Sequence, residues 1–229
     1  MRFPMIVLMC CFTVWALPPD YKGKPFKDKH HPSGAQIIPG IMEVALYDLG
    51  GEGVAYHDTD RENHGAEHNH TTVPWPKDDP KGVPTKLCRP GTPEYICFFR
   101  EQEGVDVSYL RDITDLNHHT NLFQPKKDQQ YIGWQEDGEW ANYTLNVKAP
   151  GAYTIKVLYA NKPLNVKLSL ENKPAATCKP PVNTESMHRW NKAECGEIHF
   201  PVAGLQLLTV HFIRGINLAS FEFVPKSSK

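Results

Sequence analysis

The chain has 229 residues, a formal charge of −1 from 25 Lys and Arg against 26 Asp and Glu, and 40% hydrophobic residues. That length and apolar content suit one domain with a real core. The balanced charge excludes a general pull toward nucleic acid or anionic lipid.

Residues 1–16, MRFPMIVLMCCFTVWA, place Arg2 before an apolar run that ends in Val14-Trp15-Ala16. This reads as a secretory signal peptide cut after Ala16, and it is too short to favour a membrane span. The expected product is therefore secreted and soluble, with no membrane partner. Residues 17–36 form an N-terminal tail whose four lysines between Lys22 and Lys29 read as a solvated arm.

Residues 38–60, IPGIMEVALYDLGGEGVAYHDTD, predict a strand, a Gly-Gly-Glu-Gly turn and a second short strand ending in the polar run Tyr56-His57-Asp58. Two stretches then read as surface excursions around the strands. One is residues 64–98, rich in Pro and His, and the other is residues 112–130. After Gly138 the alternation is regular. Ala141, Tyr143, Leu145 and Val147 fall on one face of a strand, with Asn142, Thr144 and Asn146 on the other, expected to meet solvent. Ala149-Pro150-Gly151 marks a turn. Tyr153, Ile155, Val157 and Tyr159 mark the next strand, followed by Val166, Leu168 and Leu170, then Leu208, Val210 and Phe212, then Phe221 and Phe223. Short strands separated by Pro, Gly and Asn, with no long amphipathic helix, predict an all-β antiparallel sandwich. The sandwich is expected over 37–225, with a short tail at 226–229.

Removing the leader takes Cys10 and Cys11 with it and leaves Cys88, Cys97, Cys178 and Cys195. Three pairings are possible. Cys88–Cys97 and Cys178–Cys195 are chosen because each brackets one local loop, and each closure should add about 2–3 kcal/mol. Asn69-His70-Thr71 and Asn142-Tyr143-Thr144 are N-glycosylation acceptors by pattern, which would make the product a glycoprotein. No CxxC pattern suggests zinc. His64, His68, His70 and the His118-His119 pair are loop histidines with no recognised ligand spacing, so they read as solvent-facing.

The segments at 38–60 and at 133–147 (GWQEDGEWANYTLNV), with EGVDV at 103–107 and INLASFEF at 216–223, resemble carbohydrate-binding module family 6. The resemblance runs in the family's order over most of the chain and implies a jelly-roll β-sandwich that binds sugar and does no catalysis. Its cleft lies among loops at one end. The positions that match are Trp134 as stacking aromatic, Asn217 as amide, and Tyr56, His57 and Asp58 as assisting polar groups. The loop NTESMHRW at 183–190 puts Met187 where a second stacking Trp is usual and keeps Trp190. Ile216 stands where an aromatic is common. The structural Ca²⁺ of the family would rest on Glu43, but Ala45 and Ala219 occupy its other ligand positions. The metal is therefore expected to be lost or weak, and no cofactor is implied.

The implied partner is a polysaccharide or glycan, such as a β-glucan or galactan. The alternative is a structural extracellular matrix protein, for instance of a mineralised matrix, that kept the sandwich and lost its ligand. A glycosidase would need two carboxylates across a scissile bond. Glu136, Asp137 and Glu139 instead fall on the turn and strand start of the binding scaffold, and GxSxG and HExxH are absent.

Overall fold

The structure, a computed structural model, describes residues 17–73, 84–111 and 119–226. The expected leader, His118 and residues 227–229 of the C-terminal tail lie outside them. The chain opens with β1 (Gln36–Ile38), β2 (Gly40–Glu43), β3 (Tyr56–His57) and a short helix α1 (His64–Asn69). Then come β4 (His70–Val73), β5 (Thr85–Cys88), the one-turn α2 (Glu94–Cys97), β6 (Val107–Tyr109) and β7 (Gln130–Ile132). The long strands follow: β8 (Trp140–Val147), β9 (Gly151–Asn161), β10 (Val166–Leu170), β11 (Lys173–Cys178), β12 (Trp190–Phe200), β13 (Gly204–His211) and β14 (Ile216–Pro225).

Two sheets form the sandwich. One runs β1-β8-β13-β10-β11, with β3 also paired to β8, and the other runs β12-β9-β14-β7-β6, with β2 also on β14. The alternating residues meet between the layers. Tyr143, Leu145, Ile155, Val157, Leu168, Leu208, Val210, Phe221 and Phe223 are all buried in one core, and Phe200 bridges Tyr153 and Phe223 edge-on at 5.3 and 5.5 Å. The Cys178–Cys195 bond joins β11 to β12, the outer strands of the two sheets, and Cys88–Cys97 ties β5 to α2. One pairing departs from the antiparallel expectation. β1 runs parallel to β8, because the chain crosses from one sheet to the other at Ile38-Pro39 and β2 then joins β14.

Three further expectations are corrected. The N-terminal tail is laid onto the body rather than left in water: Lys24 and Leu49 exchange backbone hydrogen bonds, Tyr21 donates to Asp48, and Phe26 packs edge-on against Phe99. That cover, with the loop before β3, closes the outer face of β8. Asn142 is buried, donates from Nδ2 to the Val54 carbonyl at 2.9 Å and accepts from Thr209 Oγ1 at 2.6 Å. Thr144 is likewise held by the Asp48 carboxylate. Asn69 is buried too, giving Nδ2 to the Val107 carbonyl and accepting from Ser108 Oγ. Both sequon amides thus serve the interior of the fold and are not presented to solvent.

The third correction concerns the insertions, which are not surface excursions throughout. Asn63 caps α1 by accepting from the Ala66 N–H at 2.8 Å. Gly65 lets that helix lie directly on β6, where a Cβ would sit 2.4 Å from the Val107 carbonyl oxygen. Ala66, Asn69, Ile96 and Cys97 are buried. The second insertion covers a small cluster on the outer face of the β9/β14 sheet, made of Leu110, Tyr131, Leu158, Ala160, Trp190 and Ala219. Among the described residues no helix is long and apolar enough to cross a membrane.

Candidate functional site

Trp134 follows β7 on an irregular loop with φ of +51°, a left-handed conformation that costs a bulky L-residue roughly 1–2 kcal/mol. Its indole is 41% exposed. The backbone on either side is pinned, since Gly133 donates to the Asp106 carbonyl at 3.0 Å and buried Gln135 donates from Nε2 to the Ile132 carbonyl at 3.0 Å. Asn217 lies at the start of β14, one register step from Ile132. Its Oδ1 would be 2.8 Å from a Cβ on Gly133, so only glycine permits that approach. Its Nδ2 donates to the Met187 carbonyl at 2.8 Å. The structure therefore brings Trp134, Asn217 and Met187 to one rim, with Trp134 and Met187 presenting side chains to solvent.

Two members of the expected set take different roles. Asn217 is buried and its amide N–H is already given to Met187, so it braces the loops beneath the platform. Trp190 is fully buried, edge-on to Tyr131 at 5.2 Å, and its carbonyl accepts from the Leu122 and Phe123 amides of the second insertion. The ring is enclosed by Leu110, Tyr131, Leu158, Ala160 and Ala219, which removes it from any sugar-facing role. Ile216 is buried as well.

The polar run 56–58 serves a neighbouring hollow. Tyr56 is a core ring packed edge-on to Tyr47 at 5.4 Å. His57 pairs with Glu52 at 2.5 Å. Asp58 lines a cavity of about 410 Å³ with Glu52, Tyr56, Asp60, Gln102 and Gly104. Burial, with the charges of Glu139, Asp60 and Glu52 adding to it, pushes the Asp58 carboxyl up to about 7. Burial, together with Asp58, pushes Asp106 up to about 7 despite the His64 N–H it accepts at 2.6 Å. The carboxylates that suggested hydrolysis are structural ties. Glu139 accepts from the Thr59 N–H and Oγ1 and from the Glu136 N–H, while Glu136 holds Arg214 at 2.6 and 2.7 Å.

The side chains around the platform that the sequence did not assign to it come from the first insertion and from the chain just after β6. His68, in α1, sets its ring edge-on to Trp134 at 5.4 Å. Arg111 Nη2 and Arg89 Nη2 both reach the His68 carbonyl, at 2.9 and 3.4 Å. The only signal that could have pointed here was the disulfide that fixes Cys88 beside Arg89. The three clustered histidines diverge: His64 faces Asp60, His68 meets Trp134, and His70 stacks on Phe98. Glu43 accepts from Gln129 at 3.0 Å and is surrounded by Lys126, His31 and Lys192, although burial dominates and raises its carboxyl.

Residues 120–223 match the family model described as carbohydrate binding module (family 35), a span just under half of the chain. The chain carries a carbohydrate-binding-module-like β-sandwich, and the matching model is family 35 where the sequence suggested family 6. No curated protein matches the chain. Among solved structures it is similar to CsCBM6-3 from Clostridium stercorarium in complex with cellobiose, at 12% identity over 85% of this chain and 99% of that one, TM-score 0.42. A β-1,3-glucan binding family 6 module from Bacillus halodurans matches at 21% identity over 42% of this chain and 76% of its own, TM-score 0.35. A family 6 module from Clostridium cellulolyticum in complex with xylose matches at 20% identity over 41% and 78%, TM-score 0.33.

Proposed function

We propose that this chain is a secreted, non-catalytic carbohydrate-binding protein that stacks a pyranose ring on Trp134. The observation that carries the reading is the indole itself, held in the open at φ +51° on a backbone pinned from both sides. A bulky ring in that conformation contributes little to the core and has a free face for the C–H side of a sugar. Met187 supplies an adaptable second contact, and Asn217 keeps the two loops in register. Two disulfides and the apolar run at 1–16 support secretion.

The Ca²⁺ of the resembled family does not fit these residues. Backbone pairing sets Glu43 beside Ala45 and Ala219, whose methyl groups offer no oxygen, and Glu43 is already engaged by Gln129. Isothermal titration against a panel of soluble polysaccharides tests the main reading. Trp134→Ala should weaken binding about tenfold or more, as expected for loss of about 1–2 kcal/mol of stacking. Affinity unchanged by that substitution would remove the site. The second reading, a matrix protein that has lost its ligand, is favoured by Met187 and Ile216 standing where the resembled family has aromatics. It predicts no binding to any member of the panel.

A further inference from the structure

We propose that a second sugar site lies at the opposite end of β7 from Trp134, in the cavity where the N-terminal tail and both insertions meet. Its ligand is a neutral sugar residue at the end of a chain, stacked on Tyr95 and bonded by Gln130 and Glu43.

The cavity has a volume of about 430 Å³. His31 reaches it from the tail, Tyr95 from α2 in the first insertion, and Lys126 and Gln129 from the end of the second. The sandwich itself contributes Glu43 from β2 and Gln130 from β7. Two of the walls are held in place. Cys88–Cys97 ties α2 to β5, and Asp28 turns the tail by accepting the His30 and His31 N–H groups at 2.8 and 2.6 Å. That turn stacks His30 on the Tyr95 ring, with 3.8 Å between centroids and 13° between planes. Tyr95 is still 40% exposed after the stacking.

The observation that points to a ligand is Gln130. It lines the cavity, is only 9% exposed, and its Nε2 is buried with no hydrogen-bond partner. A donor left in that state costs about 1–3 kcal/mol, and a position that served packing alone would hold Leu or Met without that cost. Glu43 supplies the complementary chemistry: it accepts from Gln129 at 3.0 Å, and a carboxylate can take several further bonds. A donor and an acceptor in one small cavity call for a group that accepts and donates at once, and a sugar hydroxyl does both. The Glu43 charge repels an anion, and Lys126, close enough to act on Glu43, repels a cation. A neutral polyol meets neither objection. The Tyr95 ring gives the C–H side of a pyranose an aromatic surface. The volume lies at the small end of small-molecule clefts, which run from about 300 to 1,000 Å³, and that suits a chain end rather than a stretch of polymer.

The test is saturation-transfer NMR and titration on the full chain carrying Trp134→Ala, which silences the first platform. The probes are the methyl glycosides of glucose, galactose and mannose, with the uronide and the 2-amino sugar of each as charged counterparts. At least one neutral glycoside is expected to bind, about tenfold or more tighter than either charged counterpart. Tyr95→Ala should weaken that binding about tenfold. Gln130→Leu should weaken it by a similar factor while melting no lower than its parent, because the amide has no protein partner to lose. Absence of binding by the Trp134→Ala chain, or binding that either substitution leaves intact, would overturn the site. Either result leaves the Trp134 reading standing, since that reading is measured on polysaccharides with the indole present. A preference for the uronide or the amino sugar would overturn the neutral ligand. A Gln130→Leu chain that melts well below its parent would show the amide to be a structural tie and would overturn its role here.

Discussion

Raising the pH from 5 to 8 should destabilise this fold through Asp58 and Asp106. Both carboxyls move from an ordinary value of 3.8 to about 7 in the folded chain, chiefly because they are buried, with nearby carboxylates adding to the shift. Below about pH 4 both are protonated whether the chain is folded or not. Between about 4 and 7 the unfolded chain has released these protons while the folded chain keeps them, so the stability they contribute falls steadily as pH rises. Above about 7 both states are ionised and the loss is complete. Without solvent screening, the distance from 3.8 to about 7 would be worth roughly 4 kcal/mol for each carboxyl. Asp58 is only partly buried, and the repulsion between the two is a single interaction felt by both, so the pair is expected to be worth about 1–2 kcal/mol. Urea unfolding at pH 5 and pH 8 measures it. Asp106→Asn keeps an acceptor for the His64 N–H and removes one titration. The variant should gain on the wild type at pH 8, and its stability should depend less steeply on pH. Stability–pH curves for the two proteins that run parallel would refute this account of the cavity.

Four other outcomes follow. Trp190→Ala should cost about 3–5 kcal/mol in urea unfolding, while Trp134→Ala should cost no more than about 1–2; equal costs would contradict the assignment of one ring to the core and the other to the rim. Chain secreted from eukaryotic cells should keep its mass after treatment with an N-glycosidase, since Asn69 and Asn142 are both bonded inside the fold; a mass loss mapped to either would refute that placement. Chelation should leave the melting temperature where it was, and a rise on adding Ca²⁺ would show that Glu43 still gathers ligands. Replacing Cys88 and Cys97 by Ala should weaken glycan binding along with a loss of about 2–3 kcal/mol; unaltered affinity would separate the insertion from the site.

The core strands were legible because alternation reports directly on a sheet with one face on the core. Ala141, Tyr143, Leu145 and Val147 are buried as their spacing implies. The opposite face of β8 was misread because Asn142 and Thr144 are polar, and polarity says only that a side chain needs hydrogen-bond partners. Here the partners are Val54, Thr209 and Asp48, all far along the chain from β8. Trp190 was beyond reach for a similar reason. Its environment is made by Leu110, Tyr131, Leu158, Ala160 and Ala219, gathered from β7, β9, β14 and the chain after β6, none of them its neighbours in sequence. α1 was legible in part: Asn63 three residues before Ala66, with Glu67 in the first turn, is an ordinary helix start. Length alone made that segment look like loop.

The same insertion bears on the choice between a binding protein and an idle scaffold. Absence of aromatics at 187 and 216 favours the scaffold only if the second wall of the cleft must come from those positions. The structure supplies a wall from elsewhere, with His68 against the indole and Arg89 and Arg111 gathered on its carbonyl. A scaffold without a ligand gains nothing from a bulky residue at φ +51°, where glycine would avoid roughly 1–2 kcal/mol of strain. Strain at Trp134 is a cost that a sugar ring stacked on the exposed indole would offset, and that favours the binding protein over the idle scaffold.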